Sequence, residues 1–155
     1  MLNLICRLLA LLPFLALASC SPTKAATAEA ATEPAQVSLP GHRWEIIEVM
    51  GKDITAMRLQ ATPFLQFSTE AEGFRLSGSD GCNNLMGSYD MGDHGTISFG
   101  QMAFTRKACP ENGDINAPLV EALQKATNFT LSQDGQQLQL HRGKMAPFVR
   151  LRLPK

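Results

Sequence analysis

The chain has 155 residues, 14 basic and 14 acidic side chains, a formal net charge of zero and 18% charged residues. That length suits one ordinary domain with a tail, not two domains. No run of Lys or Arg occurs, which excludes long-range electrostatic capture of nucleic acid or anionic lipid as a built-in activity.

The first segment carries Arg7 in a short leader, followed by Leu8 to Ala18, 11 residues without a charge. A bilayer core needs ~20 apolar residues, so the segment reads as a removable export signal and not as a span. The run Leu17-Ala18-Ser19-Cys20, small residues ahead of a cysteine, resembles a bacterial lipobox. The resemblance implies a signal peptide over 1–19, a diacylglycerol on the Cys20 sulfur and acylation of the new amino terminus. Two or more acyl chains hold stably to a membrane, at ~0.8 kcal/mol per buried CH₂. Ser21 replaces the aspartate associated with inner-membrane retention, which implies the outer membrane, facing the periplasm. Cleavage after Ala16-Leu17-Ala18 is the alternative and would leave a soluble protein.

With the signal removed, the chain would keep 136 residues and a net charge of −1. Residues 20–40 combine the lipid cysteine with a stretch of six alanines and three prolines and no aromatic residue. Such a segment cannot bury enough apolar area to offset its ordering entropy, and it reads as a tether whose ends lie roughly 25 Å apart. Cys6 leaves with the signal and Cys20 carries lipid, so Cys82 and Cys109 remain. In an oxidising compartment two such thiols read as a disulfide, closing a ring worth roughly 3–4 kcal/mol. Two buried free thiols are the alternative.

From residue 41 to 155 the pattern has period two. Trp44 and Ile46 share one face and Ile47 and Val49 the other, which calls for a bulge or a strand covered on both sides. Leu65/Phe67, Phe74/Leu76, Ile97/Phe99, Met102/Phe104, Phe129/Leu131, Leu138/Leu140 and Val149/Leu151/Leu153 alternate in the same way. Turn signals at Glu72-Gly73, Gly92-Asp93, Gly95 and Asp134-Gly135 separate them. About eight short strands at this spacing predict a small antiparallel β-barrel. One helical stripe interrupts them over 117–126, with Asn116 as the expected cap and Pro118 in the tolerant first turn. The fold class is mainly β with one helix.

The densest punctuation is Ser77-Gly78-Ser79-Asp80-Gly81-Cys82-Asn83-Asn84-Leu85-Met86-Gly87-Ser88-Tyr89. Its glycines permit positive φ or close backbone approach, and its short amides suit bonds to nearby main chain. With Trp44 before it and Thr105 and Ala108-Cys109 after it, this motif resembles the META domain, also called HslJ-like, over roughly Leu39 to Leu153. Gly81, Cys82, Asn83, Gly87, Tyr89, Thr105 and Cys109 match; Arg106-Lys107 departs where members often carry Met before Ala-Cys. The resemblance implies a small β-barrel with one helix, often secreted or lipid-anchored, without a generally accepted catalytic activity.

No nucleophile elbow, P-loop or dinucleotide fingerprint occurs, and Asp80, Asn84, Asp90 and Asp93 lack EF-hand order. His42, His94 and His141 lie far apart with no CxxC, so neither a metal site nor a cofactor is expected. Cys82 as a nucleophile would need a base such as His94 nearby, and a disulfide would silence it. Asn83 reads as a turn-holding amide, with ligand presentation as the alternative. The methionines at 50, 57, 86, 91, 102 and 145 read as fillers of core gaps, with a pliable ligand pocket as the alternative. The expectation is a non-enzymatic, monomeric lipoprotein of the cell envelope, held to the membrane through acylated Cys20. It would serve as a binding or envelope-stress and integrity module with an envelope protein as its partner. The alternatives are a pilotin-like escort of an outer-membrane secretion component and an enzyme with an unrecognised site.

Overall fold

The structure, a computed structural model, describes residues 38–109 and 115–155. The expected signal peptide, Cys20 and nearly all of the tether lie outside these residues. In chain order the elements are β1 (Arg43–Val49), β2 (Lys52–Asp53), β3 (Phe64–Glu70), β4 (Gly73–Ser79), β5 (Asn84–Gly92), β6 (Thr96–Phe104), α1 (Asn116–Lys125), β7 (Asn128–Leu131), β8 (Gln137–His141) and β9 (Val149–Arg152). A short 3-10 turn, Asp93–Gly95, joins β5 to β6. Among the described residues no helix is long and apolar enough to cross a membrane.

The alternating runs became strands because each places one row of apolar side chains on a common interior. Trp44, Leu65, Phe67, Leu138, Leu140, Val149 and Leu151 are fully buried. The bulge expected in β1 is present: the β1–β9 register shifts between Ile46 and Glu48. That shift lets Trp44, Ile46 and Val49 all face inward. Glu45 and Glu48 remain at the rim, where they pair with Arg152 at 3.1 Å and Arg150 at 3.3 Å. β5 was not expected as a strand. Its inward row is Leu85, Gly87 and Tyr89, and the glycine in the middle hides the alternation.

The barrel is overturned. All pairings are antiparallel and β9 returns to β1, in a sheet of nine described strands with order β2-β1-β3-β4-β5-β6-β7-β8-β9. The hydrogen bonds do not run evenly round one axis. β3 and β4 match at every position from Phe64–Ser79 to Glu70–Gly73, whereas β6 and β7 meet only at Thr96–Asn128. The physical cause is that α1 packs against β1, β6 and β9, and a helix offers no strand edge to continue the ladder. A bulge between Gly87 and Tyr89 also bends the β5–β6 hairpin. The result is a strongly bent sheet with a helix packed on it.

Helix α1 starts one residue earlier than the predicted stripe. Its N-cap position is Ile115, with no side-chain cap bond, so Asn116 is not the cap. Leu119, Ala122 and Leu123 are fully buried, as the stripe demanded, and Lys125 near the C-terminal end pairs with Glu121.

Candidate functional site

The glycine-rich motif folds into a tight turn between β4 and β5. Its bonds run inward. The Asp80 N–H donates to the Asn83 carbonyl at 3.0 Å, and the Ser79 hydroxyl donates to the same carbonyl at 3.0 Å. The Cys82 and Asn83 N–H groups donate to Asp80 Oδ1, an Asx arrangement that closes the loop. Asp80 Oδ2 accepts from Asn116 Nδ2 at 3.0 Å, which ties the first turn of α1 to the motif. Ser79, Asp80 and Asn83 are the buried polar residues of the described chain. Among the described residues no buried side-chain nitrogen or oxygen is left without a partner, as burial of polar groups requires.

Asn83 is the hub. Its Oδ1 accepts from the Thr105 hydroxyl at 3.1 Å and the Lys107 N–H at 2.8 Å. Its Nδ2 donates to Cys109 Sγ at 3.1 Å. Thr105 adds a second link, since its hydroxyl accepts from the Asn84 N–H at 3.0 Å. Cys82 and Cys109 form a disulfide, with Cα atoms 6.0 Å apart. Residues 105–109 are thus fastened to the turn by one covalent and several polar links. Both ends of the Asn83 amide are engaged inside the protein.

The matched glycines have two different causes. Gly81 has φ +93°, and a Cβ there would lie 2.9 Å from the Ala61 carbonyl oxygen and 3.0 Å from Leu59 Cβ. Its carbonyl accepts from the Ala61 N–H at 3.0 Å. Gly87 sits at the β5–β6 bulge, where a Cβ would meet the Gln101 carbonyl oxygen at 2.9 Å. Tyr89 is buried, edge-on to Phe67 with centroids 5.1 Å apart and beside Phe74 at 5.2 Å. Burial pushes its phenol up to about 12.

The remaining chemistry is sparse. Cys82 lies before β5 and His94 after it, so nine strand residues separate them by roughly 30 Å. With the disulfide formed, neither sulfur is a nucleophile. Among the described residues no group of three or more His, Cys, Asp or Glu could hold a metal ion. The methionines divide: Met57, Met91 and Met102 pack against the core, in line with a gap-filling role, while Met50, Met86 and Met145 are exposed. A hollow of about 320 Å³ lies between β1 and the residues leading into β3, lined by Ile46, Ile54, Met57, Leu59 and Pro63, with Glu45 and Arg152 also on its wall. Sequence reasoning missed this hollow. Its walls come from β1, residues 54–63 and Arg152, segments that no local pattern in the sequence brings together.

Two structures solved by NMR are similar to this chain. One is 25% identical with a TM-score of 0.55, covering 74% of this chain and 91% of that one. The other, a protein from Burkholderia xenovorans, is 27% identical with a TM-score of 0.55, covering 78% of this chain and 90% of its own. No curated protein matches. The META domain family matches residues 37–155, a span that includes the whole motif turn, its partners at 105–109 and every strand. The chain therefore belongs to the META domain family.

Proposed function

We propose that this META-domain protein is a lipid-anchored, non-catalytic module of the cell envelope that binds an envelope partner through its outer surface. The supporting observation is the fate of the motif. Its buried polar atoms are consumed by internal bonds, and its two cysteines are joined. The residues most suggestive of chemistry therefore serve the fold. A disulfide in the folded domain is consistent with an oxidising compartment, and the lipobox-like Leu17-Ala18-Ser19-Cys20 supplies the means of export and anchorage. The interior, filled by Trp44, Phe67, Tyr89 and the leucines around them, favours recognition at the surface over an enclosed ligand. Cross-linking in living cells, with Cys20→Ala as control, tests the reading. One stoichiometric envelope protein that depends on the anchor supports it. Normal maturation of Cys20→Ala, or a reproducible absence of any partner, overturns it.

A further inference from the structure

We infer that the hollow between β1 and residues 54–63 is a binding site for a free α-amino acid with an aliphatic side chain, held by its carboxylate at Arg152 and its ammonium at Glu45. The hollow exists because β1 changes partners along one edge. Glu45 pairs with Phe64 of β3 and Glu48 with Asp53 of β2, so no described strand lies beside Ile46 and Ile47 on that edge. Residues 54–63 pass there instead, and the main chain fastens them at several points. The Ile54 N–H donates to the Ile47 carbonyl at 3.0 Å, and the Ile46 N–H donates to the Pro63 carbonyl at 3.0 Å. The Ala61 N–H donates to the Gly81 carbonyl at 3.0 Å, where Gly81 lacks the Cβ that would meet Ala61 and Leu59. The family motif therefore holds one wall of the hollow. A wall fixed before binding spares a ligand the cost of ordering it.

Size and charge select the ligand. A hollow of about 320 Å³ stands at the small end of ligand pockets, which run from ~300 to ~1,000 Å³. It is about twice the ~150 Å³ cavity that takes up benzene, which suits a molecule the size of leucine. Ile47, Met57 and Leu59, all half-buried, give it apolar contact. Glu45 and Arg152 stand on the same wall and are joined by one bond, from Arg152 Nε to Glu45 Oε2 at 3.1 Å. Among the described residues, the two Nη nitrogens of Arg152 and Oε1 of Glu45 have no other partner. The Nη pair is a fork that matches a carboxylate, and Oε1 accepts from an ammonium. The two wall charges cancel. A ligand of one sign is attracted by one partner and repelled by the other, whereas a zwitterion gains from both. The inference does not rest on the envelope-partner reading and is tested on the purified chain alone.

Titration of the ¹⁵N-labelled full chain with L-leucine, followed by NMR, tests the site. The expected result is saturable shifts of Glu45 to Ile47, of residues 55–62 and of Arg152, with a Kd of about 1 mM or tighter. Leucinamide, which lacks the carboxylate, and N-acetyl-leucine, which lacks the ammonium, should each bind at least about tenfold more weakly. Arg152→Gln should weaken leucine binding by a similar factor while leaving the spectrum away from the hollow unchanged. Absence of saturable shifts at about 20 mM leucine, shifts centred elsewhere, or analogues that bind as well as leucine would overturn the inference. The analogues are read on the parent chain, so the test stands even where the variant fails to fold.

Discussion

Asn83→Ala isolates the hub from the disulfide. The substitution removes the acceptor for Thr105 and Lys107 and the donor to Cys109. A net hydrogen bond contributes about 0.5–1.5 kcal/mol, so three sum to roughly 1.5–4.5 kcal/mol at full value. Thr105 and Lys107 are exposed, and water replaces much of what they lose. The bond to sulfur is weak. The expected loss is therefore about 2 kcal/mol. In urea unfolding with an m-value of about 2 kcal/mol/M, the midpoint falls by about 1 M. Asn83→Asp keeps the acceptor oxygen, but it exchanges the donor to sulfur for an oxygen and adds a carboxylate at a buried position bonded to buried Asp80, so it should lose at least as much as the alanine variant. An Asn83→Ala protein within about 0.5 kcal/mol of the parent would refute the hub assignment.

Gly81→Ala places a Cβ against the Ala61 carbonyl and Leu59 at φ +93°. The strained backbone alone costs about 1–2 kcal/mol, and the clash adds to it, so a thermal melt should show a loss of at least about 5 °C. Tyr89 is the sole tyrosine, which makes its phenolate band an unambiguous reporter. The folded protein should titrate near 12 and the chain in denaturant near about 10. Because the folded value is the higher one, the stability that the neutral phenol contributes is complete below the unfolded pKa and lost as pH rises through the folded one. Unfolding free energy should therefore fall across that alkaline window in the parent and fall less in Tyr89→Phe. Arg152→Ala breaks the Glu45 pair at the rim, where one side chain is 45% and the other 23% exposed. It should cost less than about 1 kcal/mol in urea unfolding.

Trp44, Ile46, Leu65, Phe67, Leu138, Leu140, Val149 and Leu151 were legible as core because alternation needs only the chain's own period of two. The α1 stripe was legible for the same reason at period 3.6. The Cys82–Cys109 pairing followed from counting cysteines in a chain whose first residues read as an export signal, and the motif residues from family resemblance. Gly87 concealed β5, because a strand whose inward row includes a glycine loses the signal that burial leaves in side chains. The departure from a barrel was also invisible. Whether a sheet closes evenly depends on the register at each edge and on what packs against it, both set by residues distant in sequence. The fate of Asn83 was decided at the same level. Its local pattern suggested a turn-holding amide, with ligand presentation as the alternative, but its partners at Thr105, Lys107 and Cys109 lie more than 20 residues away. Periodicity and residue chemistry act along the chain and can be read there; pairing, closure and the partner of a polar side chain are contacts between segments, and they exist only once the chain has folded.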